Sequence, residues 1–314
     1  MIKVEHLAKR YADVYAVNDI SFEVNQGDIL GLLGPNGAGK TTTMRILTCY
    51  MPATSGTATI EGYDVFRDSI NVRRQIGYLP ENVPLYPEMR VMEYLKFRAK
   101  LKKVPYQERK SKIAECIERC RIAEVQNQII GTLSKGYRQR VGLADTLVHD
   151  PKILILDEPT IGLDPNQIRQ VRALIKELGE KHTILLSTHI LPEVEIICNR
   201  VIIINKGKIV AMDTPSNLAD QLRGGKNLKL EVRGNGQKIK DALTGIHGVK
   251  KVVWHNSSEL SIYEVEAEKG EDIREEVFSV IVKNGGVIRE MKQESITLEE
   301  VFHQITMREQ EVID

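Results

Sequence analysis

The chain has 314 residues, of which 42% are apolar and 28% charged, and 44 Lys and Arg against 43 Asp and Glu leave a formal charge of +1. That balance argues against a general nucleic-acid or membrane-surface binder, which carries a basic excess, and the length suggests about two domains. The longest uninterrupted apolar runs are short ones such as ILIL (153–156) and VIII (201–204), which argues against a membrane span of roughly 20 residues.

In chain order, residues 2–11 and 18–27 alternate apolar and polar side chains and read as two strands of an antiparallel piece. The start, MIKVEHLAKR, has no apolar signal core, so a cytosolic chain is expected. DILGLL (28–33), KILILD (152–157), TILLST (183–188) and RVIIIN (200–205) are nearly continuous apolar runs, as in strands buried on both faces of a parallel sheet. Helical runs lie between them, which predicts an α/β core. From Met89 to Asn127 the spacing is helical without a strand, a helical insertion placed at about 84–132.

Within that insertion KLKKVPYQERKSK (100–112) is the strongest basic stretch, but Glu108 interrupts it and it reads as a solvated helix face. Cys116 and Cys120 could share a face of the same insertion. With no further ligands near them they read, like Cys49 and Cys198, as buried or half-buried reduced thiols. LSKGYRQR (133–140) opens a further helix: Ser134 is a natural N-cap, Tyr137, Val141, Ala144 and Val148 share one face, and Gly136 in the first turn is unfavourable.

Gly224-Gly225 reads as a linker, dividing residues 1–222 from 226–314. The second part reads β, α, β, β, α, β, a small ferredoxin-like α+β arrangement, followed by a last helix, TLEEVFHQITMRE. Trp254 in this part reads as core or interface.

Three strand ends carry chemistry. GPNGAGKT follows the first buried strand and opens a helix, the context in which GxxxxGK[ST] holds phosphates. Gly34, Gly37 and Gly39, with Pro35, Asn36 and Ala38 between them, let successive N–H groups point at phosphate oxygens at a helix N-terminus. Lys40 supplies charge to the terminal phosphates, and Thr41, followed by Thr42, offers a hydroxyl to Mg²⁺. ILILDE ends a second strand with Asp157, suited to Mg²⁺, and Glu158, placed to take a proton from an attacking water. His189 ends a third strand, where it can donate to a γ-phosphate and orient the water.

GPNGAGKT, LSKGYRQR, ILILDEP, IGLD and STH in this order make residues 1 to about 220 resemble the ATP-binding subunit of ABC transporters. The resemblance implies a phosphate-loop ATPase core that binds ATP and Mg²⁺. It puts the aromatic adenine platform at Tyr11, the phosphate loop at Gly34 to Thr42, the signature at Leu133 to Tyr137, the aspartate loop at Gly162 to Asp164 and the switch histidine at His189. Glu81 stands where the family usually has a Gln that contacts Mg²⁺ and the attacking water. Glu accepts and ligates but cannot donate. LSKGY stands for the commoner LSGGQ, so Lys135 and Tyr137 depart while Ser134 and Gly136 agree.

These variants, with the C-terminal extension, are similar to bacterial exporter ATPases that drive separately encoded permeases for drugs, lipids, polysaccharides or gliding-motility components. The resemblance further implies a head-to-tail dimer with each ATP between one copy's phosphate loop and the other's signature, peripheral on the inner face of the cell membrane, with Gly136 leaving room for the γ-phosphate. Three alternatives stay open. A permease-independent ABC-type ATPase usually has two ATP-binding halves or a long coiled coil. A GTPase would need NKxD, of which only Asn205-Lys206 is present, and a silent gating subunit would lack Glu158 or His189.

Overall fold

Apolar-polar alternation at the start of the chain produces a hairpin in the computed structural model, which describes residues 1–222, 227–256, 260–268 and 271–294. Strand β1 (Ile2–Tyr11) pairs antiparallel with β2 (Val14–Val24), Tyr11 opposite Val14. The second strand therefore begins four residues before the segment expected from the alternation, because pairing starts at the turn. Strand β3 (Ile29–Leu33) is buried at every position and leads through a loop into α1 (Lys40–Leu47). Strands β4 (Ser55–Ile60) and β5 (Tyr63–Asp64) then complete an antiparallel sheet in the order β2-β1-β4-β5.

After α2 (Ser69–Gln75) and β6 (Ile76–Leu79), the insertion contributes α3 (Val91–Leu101) and α4 (Arg109–Arg119). Helix α5 (Lys135–Leu147) carries LSKGYRQR at its start. Val141, Ala144 and Val148 are fully buried, as their shared face predicts, whereas Tyr137, expected on the same face, is only half-buried at the first turn. Then follow β7 (Ile153–Asp157), α6 (Pro165–Gly179), β8 (Thr183–Thr188), α7 (Leu191–Ile197), β9 (Arg200–Asn205), β10 (Lys208–Asp213) and α8 (Pro215–Leu222).

The second sheet runs β10-β9-β3-β8-β7-β6 and is parallel except for β10. Its central strands are apolar on both faces because helices cover one and the antiparallel sheet with α1 covers the other. Ile2, Val4 and Phe22 of the first sheet share a core with Met44 and Leu47 of α1 and with Leu30, Leu32 and Ile155 of the second. Each such Leu or Ile, fully buried, stabilises by about 1.5–3 kcal/mol over an exposed one. Register aligns the strand ends, with Leu33 beside Thr188 and Asp157 beside Ser187, so the segments that follow emerge at one edge. In open α/β sheets that carboxyl edge is where ligands bind.

The chain divides into compact units Met1–Pro215 and Ser216–Asp314, so the division falls at the start of α8 rather than at Gly224-Gly225, which lies outside the described residues. In the second unit β11 (Asn227–Arg233), α9 (Gly236–Thr244), β12 (Val249–Asn256), β13 (Ser261–Ala267), α10 (Arg274–Lys283) and β14 (Val287–Glu294) follow the expected β-α-β-β-α-β order. The sheet is antiparallel in the order β12-β13-β11-β14. Trp254 packs half-buried against the core of this unit. The helix expected at TLEEVFHQITMRE lies outside the described residues. Among the described residues no helix is long and apolar enough to cross a membrane. Cys116, Cys120 and Cys198 are buried and Cys49 half-buried, all as free thiols.

Candidate functional site

The loop after β3 is shaped by close backbone approach. Gly39 has φ 108°, and a Cβ there would run into the Ala16 carbonyl; one on Gly34 would run into that of Ile204. Gly39 is the N-cap of α1 and offers no side chain, and the first turn contains no acidic residue. The first N–H groups of α1 are therefore left for an external acceptor, and the helix end favours an anion. Asn36 to Thr42 line a cavity of about 430 Å³ together with Ala16, Glu81, Glu158 and Ile161.

Lys40 is almost fully buried, its Nζ donating to the carbonyl oxygens of Gly34 (2.7 Å) and Pro35 (3.1 Å) and standing 3.4 Å from Glu158 Oε1. The other Glu158 oxygen, Oε2, is 2.8 Å from His189 Nδ1. One carboxylate thus lies between two groups able to donate to phosphate oxygens. Glu158 adopts a left-handed backbone at φ 48°, which costs about 1–3 kcal/mol in a non-glycine residue. Its N–H donates to the hydroxyl (3.0 Å) and carbonyl (3.2 Å) of Ser187, which hold it there.

Ser187 also donates to Asp157 Oδ1 at 2.5 Å, and the Thr41 hydroxyl reaches the same oxygen at 3.2 Å. Ser187 escaped the sequence reading; the available signal was a hydroxyl at the end of a fully buried strand, two residues before His189. Burial pushes the Asp157 carboxyl above the usual carboxylate range, and the neighbouring Glu158 and Glu81 carboxylates add to this, against the lowering effect of the Ser187 and Thr41 hydroxyls. Asp157 Oδ2 is buried with no hydrogen-bond partner. A buried carboxylate with an unused oxygen beside a threonine hydroxyl fits a small hard cation such as Mg²⁺. Among the described residues no group of three or more His, Cys, Asp or Glu forms a metal cage. Such a cation would lean on the Thr41 hydroxyl and on the phosphates of its nucleotide, with Glu81 in the same cavity wall.

Four predicted residues lie elsewhere. Tyr11 is not part of the cavity wall: its ring is exposed, its hydroxyl donates to Met51 Sδ at 3.1 Å, and Lys9 Nζ stands 5.4 Å over it. Ala16, on the same hairpin, reaches the wall instead. Ser134 caps α5 by accepting from Tyr137 N (3.4 Å), and Asp164 caps α6 by accepting from Asn166 N (3.0 Å) and Gln167 N (2.9 Å). The Asp164 carboxylate is therefore used as a cap and not in this chain's cavity. Gly136 is buried, and a Cβ there would lie 2.5 Å from the Gln167 side chain, so the missing side chain already has a reason within one chain.

Lys135 Nζ lies over Gly162, whose φ is 68°. The start of α5 and the Gly162–Asp164 segment consequently form one patch, separate from the cavity. At the unusual signature position, Tyr137 donates to Glu124 and stacks under Arg140 at 4.3 Å.

A phosphate-binding loop, a carboxylate pair and a histidine converging on the carboxyl edge of a mostly parallel sheet define a phosphate-loop nucleotide hydrolase. The family described as ABC transporter matches residues 17–161. The linearmycin resistance ATP-binding protein LnrL of Bacillus subtilis (strain 168) is 33% identical over 256 residues, 81% of this chain and 82% of that protein. Among solved structures, an ATP-binding subunit of an ABC transporter superposes with a TM-score of 0.65 at 30% identity, over 70% of this chain and 92% of that one. The dimeric bacterial ABC transporter cassette MJ0796 gives 0.63 at 25% identity, over 68% of this chain and 98% of that one. The chain belongs to the ATP-binding proteins of ABC transporters, as an ATP-binding and ATP-hydrolysing transporter subunit.

Proposed function

We propose that this subunit powers export through a separately encoded membrane permease, working as a head-to-tail pair of copies on the inner face of the cell membrane, with one ATP between the phosphate loop of each copy and the α5 start of the other. The observation that carries the reading is the bracketed Glu158 carboxylate, 3.4 Å from Lys40 Nζ and 2.8 Å from His189 Nδ1. Nucleotide phosphates compete for both donors. Lys40 moves its contacts from the Gly34 and Pro35 carbonyls to the phosphates, His189 donates to the γ-phosphate, and the released Glu158 accepts the proton of the attacking water.

The N–H groups at the start of α1 receive the phosphate oxygens, and Thr42 continues that row. Tyr11, exposed on the hairpin that gives Ala16 to the wall, offers its ring to the base. Thr41, Asp157 and Glu81 would hold Mg²⁺, which would neutralise charge on the phosphates. Ser134, Gly136 and the Gly162–Asp164 segment face the nucleotide of the other copy. The resistance named for LnrL and the dimer named for MJ0796 support export and pairing. The test is ATP turnover of Glu158→Gln, expected to fall by about 10²–10⁴ while ATP affinity is kept; turnover at the parental rate would remove Glu158 from the role of base.

A further inference from the structure

Behind the Glu158–His189 pair lies a second buried carboxylate that the hydrolysis scheme does not use. Glu193, on α7, is fully buried. Its Oε1 accepts from the Thr160 hydroxyl, and Arg172 Nη2 on α6 stands 3.4 Å from the same oxygen. Its Oε2 accepts from the Thr188 hydroxyl at 2.8 Å. The two hydroxyls belong to segments far apart in sequence that meet at the site. Thr160 sits in the loop that runs from Glu158, through Ile161 in the cavity wall, to the Gly162–Asp164 patch. That loop turns back on itself through Ile161 N to Glu158 O (3.2 Å) and Leu163 N to Thr160 O (3.2 Å). Thr188 directly precedes His189, its hydroxyl accepts from Ile190 N at 3.0 Å, and its carbonyl accepts from Gly34 N at 3.4 Å at the start of the phosphate loop.

Only a carboxylate supplies two separate acceptor oxygens here. Stability alone does not call for one: a buried charge carries a desolvation cost, and apolar residues of similar volume often replace buried ion pairs without loss. The guanidinium gives incomplete compensation, since Arg172 Nε is buried without a partner.

We propose that Glu193 is a positioning residue for ATP hydrolysis: by holding Thr160 and Thr188 on separate oxygens it fixes the Glu158 loop and the His189 strand end relative to each other. The proposal rests on the roles given above to Glu158 and His189. A displacement of about 1 Å in such a pair can lower turnover by about 10²-fold. Thr160→Val removes one hydroxyl at nearly constant shape, so the full chain with this change should lose about 10- to 100-fold in kcat, with KM and the stoichiometry of nucleotide binding unchanged. Thr160→Ser should restore turnover. In a His189→Ala background, where the pair is already broken, Thr160→Val should cost little more, because residues acting as a unit are non-additive.

Unchanged kcat in Thr160→Val, a loss matched by a loss of nucleotide-binding sites, or the full penalty in the His189→Ala background would each overturn the positioning role. The two readings fail separately. Normal turnover in Glu158→Gln removes the hydrolysis scheme, whereas an inactive Glu158→Gln beside an undiminished Thr160→Val removes only the role of Glu193.

Discussion

Two helix starts in the first unit are built in opposite ways. Helix α1 begins at an uncapped glycine and opens into the cavity among Lys40, Thr41 and Glu158. Helix α5 begins at Ser134, which caps it, and lies against Gly162 and Gln167 away from that cavity. The first start is incomplete without an anion, and its charged neighbours already face one another. The second is locally complete, its glycine accommodating the Gln167 side chain, and it groups Ser134 and Lys135 with Gly162 and Asp164. The contrast teaches that a single chain assembles a phosphate site and, separately, a patch with no chemistry of its own, as expected if each serves the other across two copies.

The contrast breaks most visibly if the two starts are altered in turn. Gly136→Asp places a carboxylate where the other copy's γ-phosphate is proposed to lie, so hydrolysis should fall on the order of 10²-fold or more while ATP binding to the isolated chain persists. Half-buried Gln167 can swing aside, so the variant should fold. Equal loss of ATP binding would place Gly136 in its own chain's site. Lys40→Ala should do the reverse and weaken nucleotide affinity by about 10–100-fold, the worth of a charged hydrogen bond, measurable by titration with a fluorescent nucleotide. Glu81→Gln exchanges one acceptor for an amide in the same wall and should change turnover by less than about tenfold; a larger change would make the unusual Glu a requirement. Asp164→Ala removes the α6 cap and should cost about 1 kcal/mol in thermal unfolding, whereas Asp164→Asn should not.

Away from both helix starts, His149, two residues past the end of α5, hydrogen-bonds Ile76 O at 3.0 Å, and burial lowers its pKa from 6.5 to about 4. The unfolded chain then takes up a proton near pH 6.5 that the folded chain refuses until near pH 4. The stabilising contribution is complete above the upper value and lost as pH falls toward the lower one. His149→Gln should flatten the fall in melting temperature across that window; an identical pH profile would exclude His149 as its source.

Much of the site was legible because its parts terminate buried strands. Continuous apolar runs placed GPNGAGKT, Asp157-Glu158 and His189 at strand ends, and parallel register brings them to one edge. Strands β4, β5, β6 and β10 were not anticipated: they are two to six residues long, and IGYL and KIVAMD take their identity from pairing with β7 and β9 rather than from their own pattern. Long-range polar contacts were equally hidden. Nothing in LPEVEII marks Glu193 as buried, because its partners Thr160, Arg172 and Thr188 come from three other segments. Tyr11 and Asp164 show the converse: the motif places them, but local partners, Met51 for one and the first N–H groups of α6 for the other, occupy their polar atoms.

The central claim, that the phosphate cavity of one copy is completed by the α5 start of another, is tested most directly by sedimentation of Glu158→Gln with and without ATP, alone and combined with Gly136→Asp. A dimer should form only with ATP and only with Gly136 intact, the double variant binding ATP as a monomer. A dimer that ignores ATP, or one that forms equally well with Asp at 136, would contradict that claim.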